Sequence, residues 1–207
     1  MAERTDALPL FPLGLVALPT EIVPLHVFEP RYRSLVAFCL EHGSEFGIVW
    51  AAEDGDREVG CAMRITEVLE RFPDGRTNVL TRGTRPFRVL ARREDRAFPA
   101  GDVEWLEDRP ETPDEEAAEE AREAYRVLVR EAADRELEDD ELQAMDAFAM
   151  AATVDFGLEA KQGLLELRSE TARLRLVTRL LLAATKRLDF IERAQARARS
   201  NGKVRFG

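Results

Sequence analysis

The stretch PLHVFEPRYRSLV (residues 24–36) changes its period half-way along. His26 and Val27 read as neighbouring strand residues, whose side chains leave on opposite faces. From Glu29 onward the spacing is helical. Glu29 stands at the cap, and Pro30 takes the first helical position, where a missing N–H costs nothing. Tyr32, Leu35, Val36 and Cys39 fall at i, i+3, i+4 and i+7 on one face, and Gly43 ends the helix. One helix let into a run of strands predicts an α+β fold.

The flanking sequence agrees. Leu8–Leu13 and Phe46–Trp50 are compact apolar runs, and Val59–Arg71 alternates through Cys61, Met63, Ile65 and Val68. Asp74-Gly75 then marks a tight turn, because glycine accepts the positive φ that such a turn demands. Thr77–Leu90 returns as the partner strand with breaks expected at Gly83 and Pro86, and Ala100–Leu106 adds another. Residues 1–108 therefore read as a curled antiparallel β lobe with one inserted helix.

Past EDRPETPDEEAAEE (residues 107–120) the period becomes helical throughout. Thr112 is the expected N-cap, Pro113 the first helical residue, and Asp114, Glu115 and Glu116 suit the positive helix end. Helices are expected over 113–136, 139–153, 158–168 and 170–199. In the last, Leu174, Val177, Leu181, Ala184, Leu188 and Ile191 form a seam; the added Leu176, Leu180 and Leu182 make it broader than a two-stranded coiled coil needs, which favours intramolecular packing. Residues 109–207 thus read as a helical bundle lobe.

The 207 residues carry a net charge of −10, unevenly spread. Residues 107–146 hold 17 acidic and 5 basic residues, whereas 168–207 hold 3 and 11. The acidic balance disfavours a dedicated nucleic-acid binder; the opposed blocks read either as neighbouring helix faces or as a basic end awaiting an acidic partner. No apolar run approaches the roughly 20 residues of a membrane span, and the N-terminus lacks signal-peptide character, so a cytoplasmic location is expected. Cys39 and Cys61 have no partner at metal-ligand spacing and read as buried free thiols.

Together, residues 8–36, FGIVW (46–50), VGCAMRITEVLERFPDGRTNVLTRGTRPFRVL (59–90) and, more weakly, KQGLLELRSETARLRLVTRLL (161–181) resemble the N-terminal substrate-binding domain of Lon proteases. The resemblance implies a PUA-like β lobe followed by a helical lobe, the two together engaging substrates and helping to assemble the hexamer in Lon. No G-x-x-x-x-G-K-[ST] loop occurs to cradle ATP phosphates. The expectation is a stand-alone, noncatalytic binding module with no cofactor and no metal.

His26, Phe28, Arg31 and Arg33 admit two readings. Structurally, Glu29 caps the helix and pairs with Arg33 at i,i+4, so that the segment locks helix to sheet. Functionally, Arg31 or Arg33 meets a peptide carboxylate, which guanidinium binds in bidentate fashion. Leu15, Val16, Leu18, Ile22 and Val23 are further binding candidates, competing with a core role. His42 suits a helix C-terminus; Asp54, Asp56 and Glu58 read as a solvated turn rather than a calcium loop. The expected partners are exposed peptide segments or a dedicated protein, with full-length Lon among them, and an open sheet edge offers one docking mode. The alternative is RNA binding through Arg193, Arg197, Arg199, Lys203 and Arg205, where Phe206 alone supplies a stacking ring.

Overall fold

The computed structural model describes residues 3–112 and 114–201. Pro113, Lys203, Arg205 and Phe206 lie outside them, as does the Arg199 side chain. The chain divides into two compact units. One runs to Glu111 and also takes in Ala151–Ser169; the other comprises Thr112–Met150 and the chain from Glu170 onward.

The first unit contains β1 (Arg4–Leu13), β2 (Ile22–Val27), α1 (Pro30–His42), β3 (Phe46–Ala52), β4 (Gly55–Arg71), β5 (Thr77–Arg93), β6 (Ala100–Trp105) and α5 (Leu158–Glu166). Strand order is β2-β5-β4-β3-β1-β6, and β5 also pairs with β6. Five strands therefore close into a barrel, leaving β2 as an edge strand beside β5. The sheet is antiparallel but for one pair, β1 with β3. Parallel neighbours need a crossover rather than a hairpin, and β2 with α1 supplies it.

The breaks expected at Gly83 and Pro86 are a change of partner within one continuous strand. Thr77–Arg82 pairs with β2 and Phe87–Arg93 with β6, while β4 follows β5 through a register shift between Cys61 and Met63. Such a bulge bends a strand without ending it. Leu8, Leu10, Val49, Ala62, Phe87, Val89, Val103 and Trp105 fill the barrel. The Phe87 ring reaches its place because Gly60 has no Cβ; one added there would lie 2.7 Å from Phe87 Cζ and run into the Ile48 carbonyl oxygen. From α1, Tyr32, Leu35, Val36 and Cys39 are buried as the spacing predicted, with Tyr32 stacked on Phe11 at 4.0 Å between centroids. On β4, the Val59 carbonyl accepts from Gln162 Nε2 of α5 at 3.2 Å.

Across the β5–β6 ladder, Arg93 Nε and Nη2 donate to the two oxygens of Asp102 at 2.7 and 3.0 Å, and the Ala7 N–H adds a third bond. These bonds hold the Asp102 carboxyl below the usual carboxylate range, the Arg93 bond contributing most. A depressed native pKa means stability that is present above the unfolded value, near 4, and is lost as pH falls through the native one. Asp102→Asn is therefore expected to melt below the wild type at pH 7, and the gap is expected to close progressively below about pH 4 as the wild-type carboxylate protonates. Paired melting curves across that range check it.

The second unit contains α2 (Glu115–Ala133), α3 (Asp139–Gln143), α4 (Ala147–Ala151, whose last residue groups with the first unit) and α6 (Glu170–Asn201). The N-cap of α2 is Asp114 rather than Thr112: Asp114 Oδ1 accepts from the Ala117 N–H at 3.0 Å. The single helix expected over 139–153 is two short ones. Asp146 Oδ1 accepts the Ala149 N–H at 2.7 Å, and Glu170 Oε1 accepts that of Ala147 at 2.8 Å. Two side chains thus cap a new helix where backbone bonds would have continued the old one. In α6, Leu174, Val177 and Leu181 are buried, but no described residue beyond Leu181 is. No helix among the described residues is long and apolar enough to cross a membrane.

Candidate functional site

Burial alternates strictly along β2. Val23, Leu25 and Val27 face the core, whereas Ile22, Pro24 and His26 face out. Phe28, just past the strand, is 57% exposed and Ile22 53%. Carbon surface of this size is usually covered, so a row of it on one face asks for an occupant. Pairing with β5 sets Pro24 opposite Leu80 and His26 opposite Asn78.

The β4–β5 turn extends the row. Phe72 N–H donates to the Arg76 carbonyl and Gly75 N–H to that of Phe72, both at 2.9 Å, with Gly75 at φ +85°. The turn holds the Phe72 ring edge-on to His26, 6.1 Å between centroids, while Phe28 stacks with the imidazole at 5.9 Å. His26 Nδ1 pairs with Asn78 Oδ1 at 2.6 Å, and Asn78 Nδ2 donates to Glu70 at 3.2 Å. Arg76 lies 5.0 Å over Phe72 and is tied to Asp74 at 2.7 Å. The result is an aromatic platform of Phe28, His26 and Phe72 rimmed by Arg76, Asp74 and Glu70.

The two candidate arginines separate. Arg33 packs its guanidinium over Gly75, where any Cβ would strike it, and forms one wall of a cavity of about 420 Å³ with Pro30, Leu40 and Arg71. Arg31 instead enters a different cleft, of about 390 Å³, with Arg92, Arg93 and Phe98. The expected Glu29–Arg33 pair is replaced by Glu29–Arg31, Oε2 accepting Nε at 3.0 Å, and the Glu29 side chain makes no cap bond. Its backbone carbonyl serves there, accepting from Tyr32 and Arg33.

Of the apolar candidates, Val16, Leu18 and Val23 are buried, Leu15 is half-buried and only Ile22 is open. The loop that carries the first of these is drawn inward by Glu21, whose two oxygens accept from the Leu18 N–H at 2.8 Å and from Lys161 Nζ at 2.6 Å. Phe72 and Asn78 were missed as site residues. The Asp74-Gly75 signal placed them beside a turn, but the pairing of β2 with β5 across some fifty residues had no local signature. His42 Nδ1 donates locally to the Phe38 carbonyl, and Asp54 and Asp56 are bonded to Arg57 and Arg92.

Cys39 and Cys61 are free and buried, and burial pushes both thiols up from the ordinary thiol range. Thiolate is the reactive form, so a thiol reagent at pH 7 is expected to label neither until the chain is unfolded. Rapid labelling of folded protein would contradict their placement.

Residues 7–183 match the family described as the ATP-dependent protease La (LON) substrate-binding domain. The chain belongs to the Lon substrate-binding domain family. Its fold is shared with a Lon N-terminal domain protein from Xanthomonas campestris, 29% identical, at a TM-score of 0.65 over 82% of this chain and 95% of that one. The N-terminal domain of Mycobacterium avium complex Lon protease, 23% identical, superposes at 0.62 over 87% and 98%. A LON peptidase N-terminal domain and RING finger protein of Schizosaccharomyces pombe is 32% identical over 127 residues, 52% of this chain. The chain spans about a quarter of that relative's length, 26%. The family match and the two structures agree with a mixed α+β fold of six strands and C-terminal helices.

Proposed function

We propose that the outer face of β2 and the 72–76 turn bind exposed apolar segments of other polypeptides, with the Phe28–His26–Phe72 platform as the anchor. The observation that carries this reading is the row of exposed carbon surface from Ile22 to Phe28, continued by the half-buried Phe72 ring, in a family of substrate-binding domains. Aromatic anchors ringed by charge are the usual centres of such interfaces. Arg76 on the rim favours client segments that bear a carboxylate beside their apolar residues.

Side chains, rather than strand addition, make the contact. β2 is the edge strand, but Pro24 at its middle has no N–H to give an incoming strand and holds this edge closed to extended pairing. The reading is also noncatalytic. His26 Nδ1 is held by the Asn78 amide oxygen and its ring lies against Phe28 and Phe72, and none of these partners is a nucleophile for it to activate.

A dye-labelled, permanently unfolded polypeptide titrated with the chain tests the proposal by fluorescence anisotropy. Saturable binding that changes little between 50 and 300 mM salt is the expected result. No binding, or binding that falls steeply with salt and is competed by RNA, contradicts it.

A further inference from the structure

Two guanidiniums share one wall of the cavity between α1 and the β4–β5 hairpin, and no acid in that wall matches them. We propose that this cavity binds a phosphoryl group, carried by a phosphorylated side chain or by a small phosphorylated molecule, with Arg33 and Arg71 as the residues that hold it.

Strand alternation sets this cavity apart from the aromatic platform. Arg71 lies opposite Thr77, and Thr77 opposite Val27, whereas Glu70 and His26 both lie opposite Asn78. Side chains directly opposite share a face, and successive ones alternate between faces. Arg71, Thr77 and the buried Val27 therefore point toward α1, and Glu70, Asn78 and His26 point toward the platform. On the α1 side the cavity, of about 420 Å³, is walled by Arg33, Ser34, Val36, Ala37 and Leu40.

The charge in this cavity is uncompensated. No carboxylate is among its lining residues, and neither Arg33 nor Arg71 has a hydrogen-bond or ion-pair partner among the described residues. The nearby acids are occupied. Asp74 Oδ1 accepts from the Arg76 N–H at 3.1 Å and Oδ2 from Arg76 Nε at 2.7 Å, while Glu29 is drawn to Arg31. The cleft beside Arg31 has no such surplus, because Arg31, Arg92 and Arg93 hold Glu29, Asp56 and Asp102 at 2.9, 3.0 and 2.7 Å. Arg33 is also held in place: the missing Cβ of Gly75 lets its guanidinium lie against the turn. Thr77 adds a hydroxyl without a partner among the described residues, whereas Ser34 Oγ donates to the Pro30 carbonyl at 3.1 Å.

Two permanent cations on one cavity suit a dianion. A phosphoryl group carries close to two negative charges at pH 7 and three strong acceptor oxygens, enough to take the fork of each guanidinium. A carboxylate has one charge and fills one fork, which leaves the second arginine unmatched. Val36, Ala37 and Leu40 offer carbon surface to whatever bears the group.

Titration of the full chain with a dye-labelled phosphoserine peptide, otherwise of glycine and serine so that the platform has nothing to hold, tests this by anisotropy at fixed ionic strength. Saturable binding is expected, at least about tenfold tighter than for the same peptide with serine or glutamate in place of phosphoserine. Arg33→Gln and Arg71→Gln should each weaken it at least about tenfold, and Phe28→Ala should not change it. Arg71 is exposed, so the melting temperature of Arg71→Gln should stay at the wild-type value and unfolding cannot explain its loss. Competition identifies the source, and either result supports the site: O-phosphoserine displacing the peptide at similar concentrations makes a small molecule sufficient, whereas displacement only at far higher ones assigns the group to a polypeptide. No binding at millimolar peptide, equal binding of the serine or glutamate version, or unchanged affinity in both arginine variants overturns the proposal. So does displacement by an oligoribonucleotide at lower concentrations than by O-phosphoserine.

Discussion

Replacing Gly83 with alanine is expected to lower the free energy of unfolding by about 3 kcal/mol, the upper end for forcing an atom into a packed site. A Cβ there would strike the Leu18 carbonyl oxygen, with the Leu18 carbonyl carbon at 2.9 Å and Pro19 Cα at 3.2 Å. These are backbone atoms, and they cannot swing aside as a side-chain tip does. Retreat of the loop is also blocked, because Gly83 N–H donates to the Glu21 carbonyl at 2.8 Å and its own carbonyl accepts from Thr20 at 2.9 Å. Moving the loop breaks both bonds, each worth about 1 kcal/mol, and uncovers Leu18, which is wholly buried. Gly14→Ala is the control: nothing lies within 4 Å of its Cβ, and a change within about 0.5 kcal/mol is expected. Urea unfolding of the two variants checks the pair. Equal stabilities would mean that the 14–21 loop is not seated against β5.

The second large effect is on binding. Phe28→Ala combined with Phe72→Ala is expected to weaken capture of an unfolded polypeptide about 30-fold, near 2 kcal/mol, since two aromatic anchors at the centre of an interface carry much of its energy. The melting temperature should move little for Phe28→Ala alone, since Phe28 is 57% exposed, and somewhat further for Phe72→Ala, whose ring is half-buried against His26. Leu90→Ala, which trims another open side chain of the barrel, 46% exposed, should leave affinity unchanged. Affinities from anisotropy titrations separate the two. Loss of affinity in proportion to loss of stability would assign Phe28 and Phe72 to the fold instead.

Local signals in the sequence were read correctly where one residue type had one physical use. Pro30 at a helix start, Gly43 in the left-handed region at its end and Gly75 in the hairpin all stand where their backbone freedom or restriction predicts. The α1 face of Tyr32, Leu35, Val36 and Cys39 followed from spacing alone. What escaped was long-range. Gly83 and Pro86 look like breakers in one strand; only the presence of two different partners, β2 and β6, turns them into a bend. Glu29 had two arginines in reach; it pairs with Arg31, while Arg33 lies over Gly75. The parallel β1–β3 pair and the closure of β5 on β6 depend on the whole chain, and neither strand advertises them.

The proposed binding surface was legible in the same uneven way. His26 and Phe28 drew notice as unusual residues at a strand-to-helix junction, and both lie on the exposed row. Leu18 and Val23 are as apolar as Ile22, and composition cannot tell which of them turns inward. Strand alternation settles Val23 against Ile22, and the Glu21 bonds to Leu18 and Lys161 fold the preceding loop onto the barrel.

The most direct measurement places a photoreactive phenylalanine analogue at position 28, and in a second protein at position 90, and irradiates each with an unfolded polypeptide. The account predicts efficient crosslinking from position 28, suppressed by excess unlabelled polypeptide, and background crosslinking from position 90. Equal yields from the two positions, or capture from position 90 alone, would contradict the assignment of the β2 face as the recognition surface.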